Sequence, residues 1–172
     1  QILRFAIPAL CAGNACAVKP APSVARVSET LFNLVPKGLP LIGAWLNHED
    51  TLKAIEDTDA MAFTGSTHTG RLLAAHAGRH LKKTVLELGG SNPFIILPDA
   101  DLQRAVIDAC YSRFRDAGQS CNAAKRIVVT QDIAEQFIPL FLAECAKLQT
   151  GNPKDPNTTL APLHREDLRQ TV

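Results

Sequence analysis

Three features predict an α/β fold. Short β-branched or apolar runs alternate with segments of helical period, turn residues separate them, and the double glycine Gly89-Gly90 marks a boundary between two lobes, 1–88 and 89–172. Ile2 to Cys11 has the period of a helix, Ala12-Gly13-Asn14 is a helix stop, and Ala15 to Lys19 reads as a buried strand with Lys19 at its carboxyl end. Pro20 and Pro22 make a loop, Ser23 is placed to cap a helix to about Leu34, and Pro36-Lys37-Gly38 closes the unit. Leu41 to Leu46 reads as a second strand and Glu49 to Asp57 as a short helix. Ala60 to Phe63 is a third strand, running into Thr64-Gly65-Ser66. A helix is expected over Thr67 to Leu81, then strands at Lys83 to Leu88 and Asn92 to Leu97 on either side of the double glycine. Beyond these come a helix with an acidic cap from Asp101 to about Tyr111, an irregular stretch through Gly118, a strand at Arg126 to Thr130 and a helix from Ile133 to Leu148. Gly151-Asn152-Pro153-Lys154-Asp155-Pro156 reads as a loop.

Composition narrows the function. With 46% hydrophobic and 20% charged residues the chain of 172 is an ordinary globular sequence, which excludes disordered and collagen-like classes. Eighteen Lys+Arg against seventeen Asp+Glu leave a net charge of +1 with no basic run, so no nucleic-acid partner is expected. Arg4, Lys19, Arg26 and Glu29 interrupt the most apolar region before it reaches the ~18–20 residues of a membrane span, so no membrane partner is expected either. The five cysteines are odd in number, lack C-x-x-C spacing and read as reduced thiols of a cytoplasmic protein. The opening Gln1-Ile2-Leu3-Arg4-Phe5 resembles neither a signal peptide nor a domain start, and reads as the interior of a longer protein.

Five sets of residues could carry chemistry. Phe63-Thr64-Gly65-Ser66-Thr67-His68-Thr69-Gly70 passes from strand to helix through small residues, where free N–H groups and the helix dipole favour an anion. It lacks one glycine of G-x-G-x-x-G, so a plain βα turn and a cofactor site both stand. Glu87 ends an apolar strand before two glycines, a costly place for a carboxylate without a partner or a task; a hydrogen-bonded Glu and a general base both stand. Cys121 lies in the polar turn Gly118-Gln119-Ser120-Cys121-Asn122. If that turn opens a helical piece, its N–H groups favour the thiolate; otherwise Cys121 is an inert thiol, the reading taken for Cys11, Cys16, Cys110 and Cys145. Arg4 and Arg115 are either solvated charges or partners for a substrate carboxylate. His76 and His80 have the i, i+4 spacing of metal ligands but no evident third ligand, and no metal is expected.

The segments Pro8-Ala9-Leu10-Cys11-Ala12-Gly13-Asn14, Val18-Lys19-Pro20, Phe63-Thr64-Gly65-Ser66, Leu86-Glu87-Leu88-Gly89-Gly90-Ser91-Asn92-Pro93 and Gly118-Gln119-Ser120-Cys121 occur in the order and spacing of the aldehyde dehydrogenase superfamily, which the chain resembles over nearly its whole length. Phe114-Arg115-Asp116-Ala117 before Gly118, and Ala123-Ala124-Lys125-Arg126 after the cysteine, are most similar to the NAD(P)-dependent succinate-semialdehyde dehydrogenases.

The resemblance implies a Rossmann-like cofactor-binding lobe followed by the start of an α/β catalytic lobe, and a homo-oligomeric full-length protein. It implies that Cys121 attacks an aldehyde to give a thiohemiacetal, that hydride passes to NAD or NADP, and that Glu87 activates water against the thioester. Arg4 and Arg115 would hold the substrate carboxylate, and Lys19, Pro22, Phe63, Thr64, Gly65, Ser66, Gly70, Leu88 and Gly89 would line the cofactor. Pro22 stands where NAD-selective members carry a Glu, which leaves NAD and NADP both open. The family asparagine that completes the oxyanion site would precede Gln1, the Glu-x-Phe-Gly-Pro motif would follow Val172, and the usual Gly-Pro-Leu reads Ala161-Pro162-Leu163. Two other readings accompany this one: a non-catalytic piece with a structural or self-association role, and a thiol-dependent esterase using Cys121 and Glu87.

Overall fold

Backbone geometry follows the α/β alternation closely. A computed structural model describes residues 1–171, and the chain divides into two compact units, Gln1–Leu88 and Gly89–Val172.

In the first unit, α1 spans Ile2–Cys11 and ends as Ala12-Gly13-Asn14 foretells. Gly13 takes φ +83°, the left-handed conformation that glycine adopts without steric cost, and both the backbone N–H and the side-chain amide of Asn14 donate to the Ala9 carbonyl at 3.0 Å. Strand β1 (Cys16–Val18) pairs in parallel with β2 (Leu41–Gly43). The crossover runs through a 3-10 turn at Pro22–Val24 and helix α2 (Ala25–Asn33). Two expectations change here. Ser23 does not cap the helix; it lies inside the 3-10 turn that Pro22 begins, and Val24 occupies the cap position without a side-chain bond. Strand β2 stops at Gly43 rather than Leu46 because β1 offers only three residues to pair with, the last bond being Ala44 N–H to the Val18 carbonyl.

Helix α3 (His48–Glu56) is capped by Asn47, whose side chain accepts from the Asp50 N–H. Strand β3 (Ala60–Thr64) then pairs in parallel with β4 (Lys83–Glu87) through α4 (Thr67–Arg79). Ile55, Leu73 and Ala77 form the buried core of this region, with Leu52, Met61 and Phe63 packed on it. At about 1.5–3 kcal/mol for each large apolar side chain fully buried, the contact of Ile55 with Leu73 is what fixes α3 against α4.

The second unit pairs β5 (Asn92–Ile96) in parallel with β6 (Ala124–Val129), with an irregularity at Asn92/Pro93. The connection runs through α5 (Leu102–Phe114), whose N-terminus Asp101 caps by accepting from the Arg104 N–H. Helix α6 (Gln131–Cys145) packs on α5, and Ile96, Val106, Ala109 and Phe137 make the core between them and the strands. Strand β6 begins two residues earlier than Arg126, α5 runs three residues past Tyr111, and α6 ends at Cys145 instead of Leu148. Gly151 to Pro156 is loop as expected, and a short helix α7 (Glu166–Thr171) lies beyond it. No helix among the described residues is long and apolar enough to cross a membrane.

Candidate functional site

Parallel strand pairs place their loops at the carboxyl ends of the strands, where α/β proteins gather ligands. Three of the sequence-marked segments of the first unit lie there. Lys19 and Pro20 follow β1; Lys19 is exposed and donates from Nζ to the Pro20 carbonyl at 3.4 Å, and Pro22 is exposed at the start of the 3-10 turn. Thr64 ends β3 opposite Glu87 of β4, and the Gly65 N–H donates to the Glu87 carbonyl at 3.1 Å, tying the β3–α4 turn to the neighbouring strand.

Ser66 caps α4, its Oγ accepting from the Thr69 N–H at 3.2 Å. The first N–H groups of a helix have no partner within it, and those of Thr67 and His68 stay available beside this cap. Glycine matters at two positions around the turn. A Cβ on Gly65 would lie 2.5 Å from the Phe63 ring, and one on Gly70 would lie 2.6 Å from the Leu88 side chain. Phe63 and Leu88 therefore shape a small-residue cradle at a helix N-terminus, a form suited to a diphosphate. Gly89, the first residue of the second unit, has open space around its Cα.

Glu87 is not the stranded carboxylate its sequence neighbours suggest. The first three residues of β4 are exposed, and the Glu87 side chain is 39% accessible with Arg4 Nη2 at 3.2 Å from its Oε2. Water and a guanidinium both offset its charge, so the cost of a buried, unpartnered carboxylate does not arise. Arg4 lies on the exposed side of α1, with its guanidinium carbon 5.7 Å from the centre of the Phe5 ring. The structure thus joins two residues for which the sequence suggested separate roles.

In the second unit Cys121 is exposed in a turn that runs straight into β6. No helical piece opens there, which corrects the expectation that helix N–H groups face the thiol. Other bonds hold the turn. Lys125 Nζ donates to the carbonyls of Ser120 and Cys121 at 3.0 and 3.3 Å. Arg113 donates to the Ala124 and Gly118 carbonyls at 3.1 and 3.4 Å, and the Ser112 hydroxyl accepts from the Ala124 N–H at 3.2 Å. Ahead of the turn Asp116 and Ala117 both have φ +53° and Gly118 has φ +74°. Three left-handed residues in a row reverse the chain, and strain of this kind gathers near functional loops. Only Gly118 of the three was legible as a turn residue. Arg115 is exposed and lines a cleft of about 280 Å³ with Phe94, Asp108, Tyr111, Ser120 and Asn122, so it shares an opening with both neighbours of Cys121.

The remaining cysteines separate by environment. Cys110 is buried, and burial together with neighbouring Cys145 pushes its thiol up to about 11, which keeps it protonated and unreactive. Cys16 and Cys145 are partly buried, whereas Cys11, expected within an apolar pattern, is exposed. The histidine pair acquires an acidic neighbour that the sequence did not reveal: Glu56 Oε1 lies 2.9 Å from His76 Nε2 and 3.6 Å from His80 Nε2.

Comparison with known proteins follows the same lines. The profile of the aldehyde dehydrogenase family matches residues 1–172. The chain is 40% identical to succinate semialdehyde dehydrogenase [NAD(P)+] Sad of Escherichia coli K12 over 181 aligned residues, covering all of this chain and 38% of that protein. It is likewise 40% identical to succinate-semialdehyde dehydrogenase [NADP(+)] of Mycobacterium leprae, covering 39% of it. The chain therefore spans under two fifths of the length of these curated relatives. Among solved structures, succinic semialdehyde dehydrogenase from Streptococcus pyogenes in complex with NADP+ superposes on 99% of this chain and 39% of its own, with a TM-score of 0.91 and 32% identity. A profile match from the first residue to the last, at this level of identity and backbone agreement, makes the chain a member of the aldehyde dehydrogenase family.

Proposed function

We propose that the protein containing this chain oxidises an aldehyde bearing a carboxylate, succinic semialdehyde or a close relative, to the acid with NAD or NADP. The observation that carries the substrate class is Arg115, which lines the cleft beside the Cys121 turn. Guanidinium and carboxylate match in charge and in paired hydrogen-bond geometry. The names of the relatives at 40% identity support the same substrate.

The residues take these roles in the proposal. Gln1–Leu88 is the cofactor-binding lobe and the rest of the chain the start of the catalytic lobe. Lys19, Thr64, Gly65, Ser66 and Gly70 hold the dinucleotide, with Phe63, Leu88 and Gly89 shaping the surface about it; the cradle at the α4 N-terminus fits a diphosphate, and Pro22 puts no carboxylate in the way of a ribose phosphate. The Cys121 thiolate adds to the aldehyde carbon, and its backbone N–H helps hold the resulting oxyanion. NAD or NADP held by these residues would supply the hydride acceptor for the oxidation. Glu87 Oε2 then takes a proton from the water that hydrolyses the Cys121 thioester. Arg4 faces that same atom. A substrate carboxylate that draws Arg4 away therefore also frees the base. Five free cysteines support a cytoplasmic location. Exposed Val27, Leu34 and Leu81 support a homo-oligomer.

The test is Arg115→Ala in the full-length protein. Loss of a charged hydrogen-bond partner should lower kcat/KM for succinic semialdehyde by about 10- to 100-fold, with a much smaller change for an uncharged aldehyde of equal length. Equal loss on both substrates overturns the substrate assignment. Glu87→Gln should leave a burst of reduced cofactor followed by slow turnover, and unchanged steady turnover removes Glu87 as the base.

A further inference from the structure

We propose that Glu56, His76 and His80 form a binding site for one divalent transition metal of the zinc class, on the face where α3 meets α4. Two imidazoles and a carboxylate are a zinc ligand set with one position left for water. The three side chains offer their ligand atoms within 4.8 Å of one another. Donors about 2.0–2.1 Å from a tetrahedral zinc sit about 3.4 Å apart. The two measured edges, 2.9 Å from Glu56 Oε1 to His76 Nε2 and 3.6 Å to His80 Nε2, fall on either side of that spacing.

The geometry is held by the fold. His76 and His80 are one helical turn apart at the end of α4, and their rings lie 4.9 Å between centres. Glu56 is the last residue of α3, next to Ile55, which is buried in the core that α3 shares with Leu73 and Ala77 of α4. The third donor spacing, between the two imidazoles, is at most 4.8 Å. The Glu56 carboxylate has no Lys or Arg within 4.0 Å among the described residues; both its ion-pair partners are the histidines. In the metal-free arrangement a proton between His76 Nε2 and Glu56 Oε1 makes the hydrogen bond. A bound ion takes the place of that proton at Nε2, and the neutral ring then carries its proton on Nδ1. Two imidazole donors favour zinc and its neighbours over magnesium or calcium, which take oxygen ligands. The bound ion would clamp α4 to α3, and it takes no part in the proposed oxidation.

The experiment is a zinc-ion titration of the full chain against a chromophoric chelator, repeated with His80→Asn and Glu56→Gln. Both changed side chains are 39% exposed, so the variants retain the core. The expected result is one zinc ion per chain, with affinity falling at least about tenfold in each variant. Zinc should also raise the Tm of the wild type and not of the variants. Cobalt(II) in the same site should give visible d–d bands without a thiolate charge-transfer band, which separates this site from the five cysteines. Failure of the wild type to take up zinc, unchanged affinity in both variants, or a thiolate band on the bound cobalt each overturns the proposal.

Discussion

Gly118 and Gly78 should answer the same substitution with opposite signs. Gly118 has φ +74°, and a Cβ there would run into the Arg113 guanidinium. Alanine at such a φ costs about 1–2 kcal/mol. Moving Arg113 aside also weakens its bonds to the Ala124 and Gly118 carbonyls, of 3.1 and 3.4 Å. The first is a good charged hydrogen bond worth about 1.5–3 kcal/mol, and the second is too long to add much. Gly118→Ala should therefore destabilise by about 2–4 kcal/mol. Gly78 sits within α4, and an added methyl group there would meet nothing within 4 Å. Alanine at this position should stabilise by about 0.4–1 kcal/mol through the smaller entropy of the unfolded chain and better helix propensity. Urea denaturation followed by far-ultraviolet circular dichroism measures both. A neutral or stabilising Gly118→Ala would refute the role given to the left-handed turn and to Arg113 in holding the loop before Cys121.

Other outcomes follow from single residues. Leu81 ends α4 with φ 56°, its N–H donating to Gly78 and that of Lys82 to Ala77, and its side chain is 92% exposed. This is a glycine position occupied by leucine, so Leu81→Gly should raise the unfolding free energy of the isolated chain by about 1 kcal/mol in the same denaturation assay. Cys110, raised from 9.0 to about 11 chiefly by burial, binds its proton more tightly folded than unfolded. Its contribution is complete below pH 9 and is lost as pH rises through the folded value, so stability should fall across that window, and less so in Cys110→Ala. At neutral pH an alkylating agent should label exposed Cys11 and Cys121 and leave Cys110 untouched until the chain unfolds.

The parts of the fold that sequence pattern disclosed are those decided locally. Asn14 after Gly13 stops α1, and Asp101 caps α5, because the deciding hydrogen bonds span three to five residues. Strand β2 was overestimated for the opposite reason: its length is set by the three residues of β1, which lie a whole crossover away. The same division runs through the candidate site. Gly65, Ser66 and Gly70 could be read as a helix-entry turn from their own spacing, but the rings and branches that make them a cradle come from β3 and from Leu88 beyond α4. His76 and His80 showed their spacing, and Glu56 stayed hidden because only the packing of α3 on α4 brings it to them.

Arg4 and Glu87 show what such hidden contacts mean for mechanism. Each had a reason in its own segment, an arginine on an apolar helix and a carboxylate before two glycines, and those reasons describe them as independent. Their 3.2 Å approach makes them an ion pair. With both side chains substantially exposed, the pair is a weak one, of the order of 0–1 kcal/mol. A carboxylate ligand that makes a better, two-bond contact with the Arg4 guanidinium can therefore separate it from Glu87 at little cost. Under the proposed function Arg4 would then link recognition of the acid end of a substrate to the freedom of Glu87 as base, and a surface ion pair too weak to matter for stability would be well matched to that exchange. A stronger, buried pair in the same place would hold the carboxylate against the ligand and oppose the chemistry.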